Sequence, residues 1–123
     1  MENEELKKHI DEVRNWYKTL KSVYCSCLKA DIIFNSKGFH HILFDSSGHR
    51  RPPVKIIRRL ELMKFAPGII KLAKNPVWLT DTGSIEFIVF RRQIWIKNKN
   101  TTVRVVIRKT KPGNHFYLSV MDE

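Results

Sequence analysis

Apolar positions in the first quarter of the chain recur at intervals of three and four residues. The pattern runs from Glu4 to about Tyr24 and places on one side Leu6, Ile10, Val13, Trp16 or Tyr17, Leu20 and Val23. This spacing matches the period of an α-helix, so it predicts one amphipathic helix. Two roles are open for its apolar side, namely packing on the core of the same domain or binding a partner.

The next segment, up to Pro76, combines one short strand pattern with helical patterns. A β-branched stretch ends at Asn35-Ser36, a pair suited to capping a helix, and Pro53 suits the first turn of another helix. Turn-forming residues between them predict an exposed loop. The predicted elements are a strand at 31–34, helical turns at 38–44, a loop at 45–52, a helix from Pro53 to about Phe65 and, after an interruption at Pro67-Gly68, a further turn or two at 69–74.

Beyond Pro76 the period of apolar positions falls from about 3.6 to two, which is typical of strands. The strand candidates are Val77–Thr80, Ile85–Lys97, Thr101–Lys111 and His115–Met121, with turns at Asn98-Lys99 and Pro112-Gly113. The predicted fold class is therefore α+β, with N-terminal helices packed on a C-terminal four-stranded antiparallel sheet. The 123 residues fit one domain, divided into a helix at 1–28, a short strand and helices at 29–76, and the sheet at 77–123.

Strand alternation predicts which side chains share a face of this sheet. Val103, Val105 and Ile107 form an apolar series that belongs to the core. Counting back from the second turn places on the opposite face the pairs Thr110 with His115, Arg108 with Tyr117 and Val106 with Ser119. Across the first turn, Trp95 and Gln93 are expected beside Thr102 and Arg104 on that same face.

Positive charge is concentrated outside the first helix. The first 30 residues carry six basic and five acidic side chains, whereas residues 31–123 carry seventeen basic and seven acidic ones. This surplus attracts polyanions, so nucleic acid is the first partner to consider, with an anionic membrane surface or an acidic protein as alternatives. The polar N-terminus and the lack of an apolar run of roughly 20 residues predict a cytoplasmic protein without a membrane partner.

The predicted open face of the sheet combines cations with aromatic rings. Arg91, Arg104 and Arg108 are candidates to contact phosphates, and Trp95 and Tyr117 are candidates to stack on bases. Interleaved basic and aromatic side chains are typical of surfaces that bind single-stranded nucleic acid. The alternative is an ordinary solvated sheet face, with the two rings packed under a helix.

A second basic segment lies between His49 and Lys74, where eight Lys and Arg residues face one acid, Glu61. Guanidinium groups match phosphate oxygens, so the loop and the first helical turns are candidates for RNA contacts. The residues concerned are His49, Arg50, Arg51, Lys55 and Arg59. A solvated helix face is the alternative interpretation of such a run.

Histidines and carboxylates limit the chemistry that the chain can support. Histidine side chains in general titrate near neutral pH, so two of the candidates His40, His41, His49 and His115 could move protons on either side of a scissile phosphate without a metal. At most one of His40 and His41 points into a site, because adjacent helical residues diverge by about 100°. The few acids in the body of the domain, between residues 31 and 86, are not paired at close spacing, and Cys25 and Cys27 fit neither an unstrained disulfide nor a zinc site. We therefore expect no cofactor and no metal.

Short motifs in a particular order resemble those of one nuclease superfamily. They are Phe39-His40-His41-Ile42, the loop His49-Arg50-Arg51, Arg59-Leu60-Glu61-Leu62, the strand Val105–Lys109 and the closing segment His115–Met121. Together, over about residues 30 to 122, they are similar to the barnase/EndoU/colicin/RelE-like superfamily, most of all to its phage- and mobile-element-associated branch. The resemblance implies an RNase toxin whose helices pack on a four-stranded antiparallel sheet that holds the substrate on its concave face.

The same resemblance implies roles for individual residues. His41 corresponds to the general base or its orienting partner, His115 to the general acid, Arg59 and Arg108 to phosphate ligands, and Ser119 to a hydrogen-bonding group. The implied function is a metal-independent endoribonuclease that cleaves tRNA or mRNA and is held in check by an antitoxin or immunity protein. The alternative, from a different functional class, is a module of a mobile-element protein that binds RNA or DNA without cleaving it.

Overall fold

The computed structural model describes residues 4–80, 86–110 and 113–123, and within them helices precede most of the strands. The predicted strand ends Ile85 and Lys111, and Pro112 of the second turn, lie outside the described residues. The α+β class is confirmed. The elements are α1 (Glu4–Leu20), β1 (Ser22–Cys25), β2 (Ala30–Ile33), α2 (Ser36–Leu43), α3 (Pro53–Met63), α4 (Ala66–Lys71), β3 (Val77–Thr80), β4 (Glu86–Ile96), β5 (Lys99–Lys109) and β6 (His115–Asp122).

Two local deviations from the predicted elements have simple backbone causes. The first helix ends at Leu20, because Lys21 adopts a φ of 52° and turns the chain into β1. The predicted helix ran to about Tyr24, so β1 was not predicted as a strand. Pro67 lies in the first turn of α4 rather than before it, a position where the missing N–H costs no helical hydrogen bond.

The sheet is larger than the predicted four-stranded antiparallel sheet. It has six strands in the order β1-β2-β6-β5-β4-β3 and is mixed. The hairpin of β1 and β2 is antiparallel, but β2 runs parallel to β6 and pairs with it only at Ile32↔His115 and Ile33↔Phe116. These two pairs attach the N-terminal hairpin to the C-terminal sheet, so residues more than 80 positions apart are neighbours.

The two faces of the sheet differ in what covers them. The helix face packs against the helices and carries the strand part of the core, represented by Ile32, Val103, Val105, Ile107 and Tyr117. On the other face, no helix of the described part of the chain covers the strands, and we call it the open face. By register it carries Arg91, Gln93, Trp95, Thr102, Arg104, Val106, Arg108 and Ser119.

The register between β5 and β6 corrects part of the predicted open face. Val106 does pair with Ser119, as predicted, but Arg108 pairs with Phe116 and Lys109 with His115. A β-bulge at Leu118 offsets the two halves of β6 by one residue. Because a shift of one residue reverses the face of every side chain, His115 and Tyr117 lie on the helix face.

The helix face is closed around Tyr117 by close packing with α1 and α2. Its ring stacks on Phe34 at 5.0 Å between centroids and lies 6.1 Å from the ring of Tyr17. Gly38 of α2 has no side chain, and a Cβ atom there would collide with the Tyr17 hydroxyl and the Tyr117 ring. The Tyr17 hydroxyl donates a 2.6 Å hydrogen bond to the Asn35 carbonyl, so α1 packs on the core.

Candidate nucleic-acid interface

Three arginines on the open face lie close together without enough acidic partners. Arg91 on β4 is directly opposite Arg104 on β5, and Arg108 follows on the same face one pair beyond Val106. The Arg91 Nε donates to the Glu123 carboxylate at 2.6 Å. Within the described residues, Arg104 and Arg108 form no ion pair, and the Nε of each is buried without a hydrogen-bond partner. Arg104 and Arg108 therefore leave positive charge on this face that no carboxylate of the described residues neutralises.

An exposed indole and several polar groups lie at one end of the same face. Trp95 is 73% exposed, and it pairs with Asn100, while the neighbouring Gln93 pairs with Thr102. The predicted shared face of Trp95, Gln93, Thr102 and Arg104 is confirmed. The turn beside it is formed by Lys97 and Asn98, both with positive φ, rather than by Asn98-Lys99. On β6, Ser119 pairs with Val106 of β5 and is only 9% exposed.

A second basic group forms where α2, the following loop and α3 meet β6. The Arg51 Nε donates to the His41 carbonyl at 3.0 Å, and an Arg59 guanidinium nitrogen donates to the Val120 carbonyl at 3.3 Å. Pairing of β2 with β6 stops at Phe116, so Arg59 reaches a part of β6 that has no strand partner on that side among the described residues. We call His41, Arg51 and Arg59 the α2–α3 cluster.

The protonation states of this cluster follow from burial and mutual repulsion. Burial lowers the pKa of His41, and the neighbouring charges of His40, Arg51, Arg59 and Lys37 lower it further. Burial, followed by the charge of Arg51, also lowers the pKa of Arg59. His41 is therefore a neutral imidazole at pH 7, able to accept a proton. His40 points elsewhere, because its exposed ring stacks on Phe44 at 4.5 Å.

The structure does not bring His115 to the α2–α3 cluster. Burial lowers the pKa of His115, the nearby Lys109 lowers it further, and a hydrogen bond that the imidazole donates to the Gly113 backbone carbonyl opposes both effects. Val120, which Arg59 contacts, is five positions further along β6, a rise of roughly 16 Å in an extended strand. Tyr117 is 1% exposed, so its ring is not available to stack on a base. The residues expected to act together are thus divided between two faces and two ends of β6.

The remaining basic candidates lie near the loop before α3. His49 is exposed and lies 3.9 Å from the Asp45 carboxylate, whereas the Arg50 guanidinium lies over the Phe44 ring at 5.3 Å. Lys55 is exposed on the first turn of α3. Arg58, in the middle of α3, forms ion pairs with Asp122 at 2.9 Å and with Glu61 at 3.3 Å. The charge run in the sequence therefore does not indicate which of its cations are held in such pairs.

Comparison with known protein families assigns the chain. The family described as large polyvalent protein-associated domain 3 matches residues 4–117, which is most of the sequence. The chain belongs to this family. It is a phage- and mobile-element-associated domain. Searches of curated proteins and of solved structures found no match.

Membership in large polyvalent protein-associated domain 3 fits the mobile-element branch expected from the sequence. The match begins at Glu4, so α1 is part of the family domain and not an addition to it. No helix in the described ranges is long and apolar enough to cross a membrane.

One feature of this large polyvalent protein-associated domain 3 has no signal in the sequence. A cleft of about 450 Å³ lies between α1 and α2 and is lined by residues as distant as Arg14 and Arg50. The helical periods account for the apolar side of each helix separately. Only the packing of the two helices creates the space between them.

Proposed function

We propose that this domain binds single-stranded RNA along the open face of its sheet. The observation that carries the proposal is the group of Arg91, Arg104 and Arg108, in which two like charges are directly opposite and two guanidiniums have no acidic partner among residues 4–80, 86–110 and 113–123. Like charges at opposite positions of paired strands destabilise a sheet. Phosphate groups of a bound strand would offset that repulsion and accept hydrogen bonds from the accessible nitrogens of the guanidinium groups.

Trp95 and its neighbours supply the second half of the interface. An indole with 73% of its surface exposed can stack on a base of any identity, as aromatic side chains do in proteins that bind single strands. The side chains of Gln93, Asn100 and Thr102 lie beside it on the same face and can hydrogen-bond base edges or ribose 2′-hydroxyls. A flat basic face that ends in an exposed indole fits an unpaired strand better than a duplex.

Binding of a fluorescent oligouridylate tests this function. With three phosphate contacts, affinity should fall by about 20-fold between 50 and 200 mM salt, because each contact releases counterions from the strand. Trp95→Ala should weaken binding by about 5- to 150-fold, which corresponds to the loss of one stacked base. Trp78→Ala is the matched control, since Trp78 is also exposed (47%) but pairs with Ile88 of the helix face and lies over Lys109. A salt effect below two-fold, or equal losses for the two variants, would contradict the proposal.

A second candidate function is the metal-independent endoribonuclease that the sequence implies. The α2–α3 cluster favours it, because a neutral imidazole lies in the field of two guanidiniums suited to a phosphate. In that function His41 takes the proton from the attacking 2′-hydroxyl, and Arg51 and Arg59 stabilise the charge that develops on the phosphate. As the 2′-oxygen bonds to phosphorus, the bond to the 5′-oxygen breaks and the leaving oxygen takes a proton from water. The products would carry a 2′,3′-cyclic phosphate and a 5′-hydroxyl, and a strand with 2′-deoxyribose at the scissile position would stay intact.

Incubation of tRNA or mRNA with the protein in excess EDTA separates the two candidates. Cleavage by the cluster should continue in EDTA and fall about 10²- to 10⁴-fold in His41→Ala. His40→Ala is the control, since its ring stacks on Phe44 outside the cluster. The rate should stay high as pH falls to 6.5 and drop only below it, because the pKa of His41 is lowered. Intact RNA under these conditions, with binding retained, leaves RNA binding as the function.

A further inference from the structure

The cleft between α1 and α2 has an aromatic floor and a cationic rim. Phe34, Phe39 and Phe44 line it, together with the His40 ring that stacks on Phe44 with an angle of 16° between the two planes. Stacked rings of this kind present a flat apolar surface. A volume of about 450 Å³ is within the range of sites that enclose small organic ligands.

The rim selects for negative charge. Arg14, Lys18, Lys21 and Arg50 all line the cleft, and among the described residues that line it there is no Asp or Glu. Two of these cations lie over the aromatic floor, Arg14 at 5.1 Å from the Phe39 ring and Arg50 at 5.3 Å from the Phe44 ring. Arg14 also contacts the exposed Asp11 at 3.3 Å, and Asp11 itself is not among the residues that line the cleft. An anion at the rim would therefore be attracted by several cations.

The Asn35 side chain favours a ligand that donates a hydrogen bond. Asn35 is the N-cap residue of α2, yet its side chain makes no capping hydrogen bond, and its Oδ1 is buried without a partner. A buried acceptor of this kind is costly unless an N–H or O–H donor reaches it. A fatty carboxylate offers no such donor at neutral pH, and inorganic phosphate offers an O–H group but no ring to pack on the aromatic side chains. Adenine offers both a ring and an exocyclic amino group, and Asn side chains accept a hydrogen bond from that group.

We propose that this cleft binds a nucleobase that carries an exocyclic amino group and a 5′-phosphate. The base lies against the exposed His40 ring, its amino group donates to Asn35, and the phosphate meets Lys18 and the other rim cations. The site is on the helix side of the domain and does not depend on the open face. Either a free mononucleotide or the 5′ end of an RNA can supply this chemistry.

Titration calorimetry with AMP, adenosine, UMP and inorganic phosphate tests the site. AMP should bind at least ten-fold more tightly than each of the other three, because only AMP supplies base, amino group and charge together. Lys18→Gln should weaken AMP binding several-fold, while Lys8→Gln, which makes the same charge change on the exposed surface of α1 outside the cleft, should not. Asn35→Ala should remove the preference for AMP over UMP and keep the Tyr17 hydrogen bond, which uses the Asn35 backbone carbonyl.

The Arg104→Gln, Arg108→Gln double variant distinguishes this site from the open face and identifies the source of the ligand. If AMP still binds in that background, the cleft is a mononucleotide site. If an oligonucleotide that begins with a 5′-phosphorylated adenosine binds at least ten-fold more tightly than its 5′-hydroxyl form, the cleft binds the end of an RNA. Phosphate binding as tightly as AMP, or Lys18→Gln binding AMP like the wild type, would overturn the proposal. Either result would leave RNA binding by the open face unaffected.

Discussion

Replacement of both Arg104 and Arg108 by glutamine is expected to weaken binding of single-stranded RNA by at least about 100-fold at 50 mM salt. Each hydrogen bond to a charged group contributes about 1.5–3 kcal/mol when its loss leaves the partner unpaired. The slope of log affinity against log salt should also fall in magnitude by about 1.4, since two phosphate contacts are lost from a single strand. Fluorescence anisotropy at a series of salt concentrations measures both quantities.

Arg92→Gln is the matched control for this double variant. Arg92 is exposed on the same sheet, one residue from Arg91, but it pairs with Val103 and therefore belongs to the helix face. It should lower affinity by less than three-fold. The melting temperature of the double variant should be unchanged or higher, because Arg104 no longer opposes Arg91. Equal losses for Arg92→Gln and for the double variant would mean that net charge alone, and not the open face, attracts the RNA.

Gly38→Ala is expected to lower the free energy of unfolding by about 3 kcal/mol, the upper end of the cost of overpacking a core. The added methyl group would meet the Tyr17 hydroxyl and the Tyr117 ring, and neither side chain can move freely. Tyr17 is fixed by its hydrogen bond to Asn35, and Tyr117 is stacked on Phe34. Denaturation with urea, followed by circular dichroism, gives the change directly.

Gly68→Ala provides the comparison for this substitution. Gly68 is also helical, but a Cβ atom there meets nothing within 4 Å and its φ is not positive. Alanine at this position should stabilise the domain by about 0.5–1 kcal/mol, because it loses less conformational freedom on folding. If the two variants unfold at the same urea concentration, α2 does not approach β6 as closely as described.

Arg104 and Arg108 of the open face differ from Arg58 in their ion pairing. Arg58, on the helix side, forms ion pairs with Asp122 and Glu61, and Glu61 also contacts Lys97 at 3.2 Å. The cations Arg58 and Lys97 are thus held in ion pairs. Arg104 and Arg108 lack such partners within the described residues. A surface that must bind phosphate benefits from cations that no internal carboxylate already occupies.

Local features of the sequence were sufficient for most of the helices and strands. Three- and four-residue spacing predicted α1 and α3, alternation predicted β3 to β6, and turn-forming residues predicted the loop before α3, where Asp45 accepts hydrogen bonds from the backbone of Ser47 and His49. The shared face of Trp95 and Arg104 was also predictable. Both depend on a two-residue turn and on strict alternation, which are set by neighbours in the chain.

The parts of the candidate site that depend on distant segments were decided by the tertiary structure. The bulge at Leu118 and the connection before His115 shift the register by one residue, and that shift moves His115 and Tyr117 from the open face into the helix face. The parallel pairing of β2 with β6 and the cleft between α1 and α2 both bring together segments that are distant in the chain. Nothing in the sequence of one segment predicts its contact with the other. The sequence by itself determined the local backbone and the supply of arginines, whereas long-range packing decided which of these side chains face the solvent together.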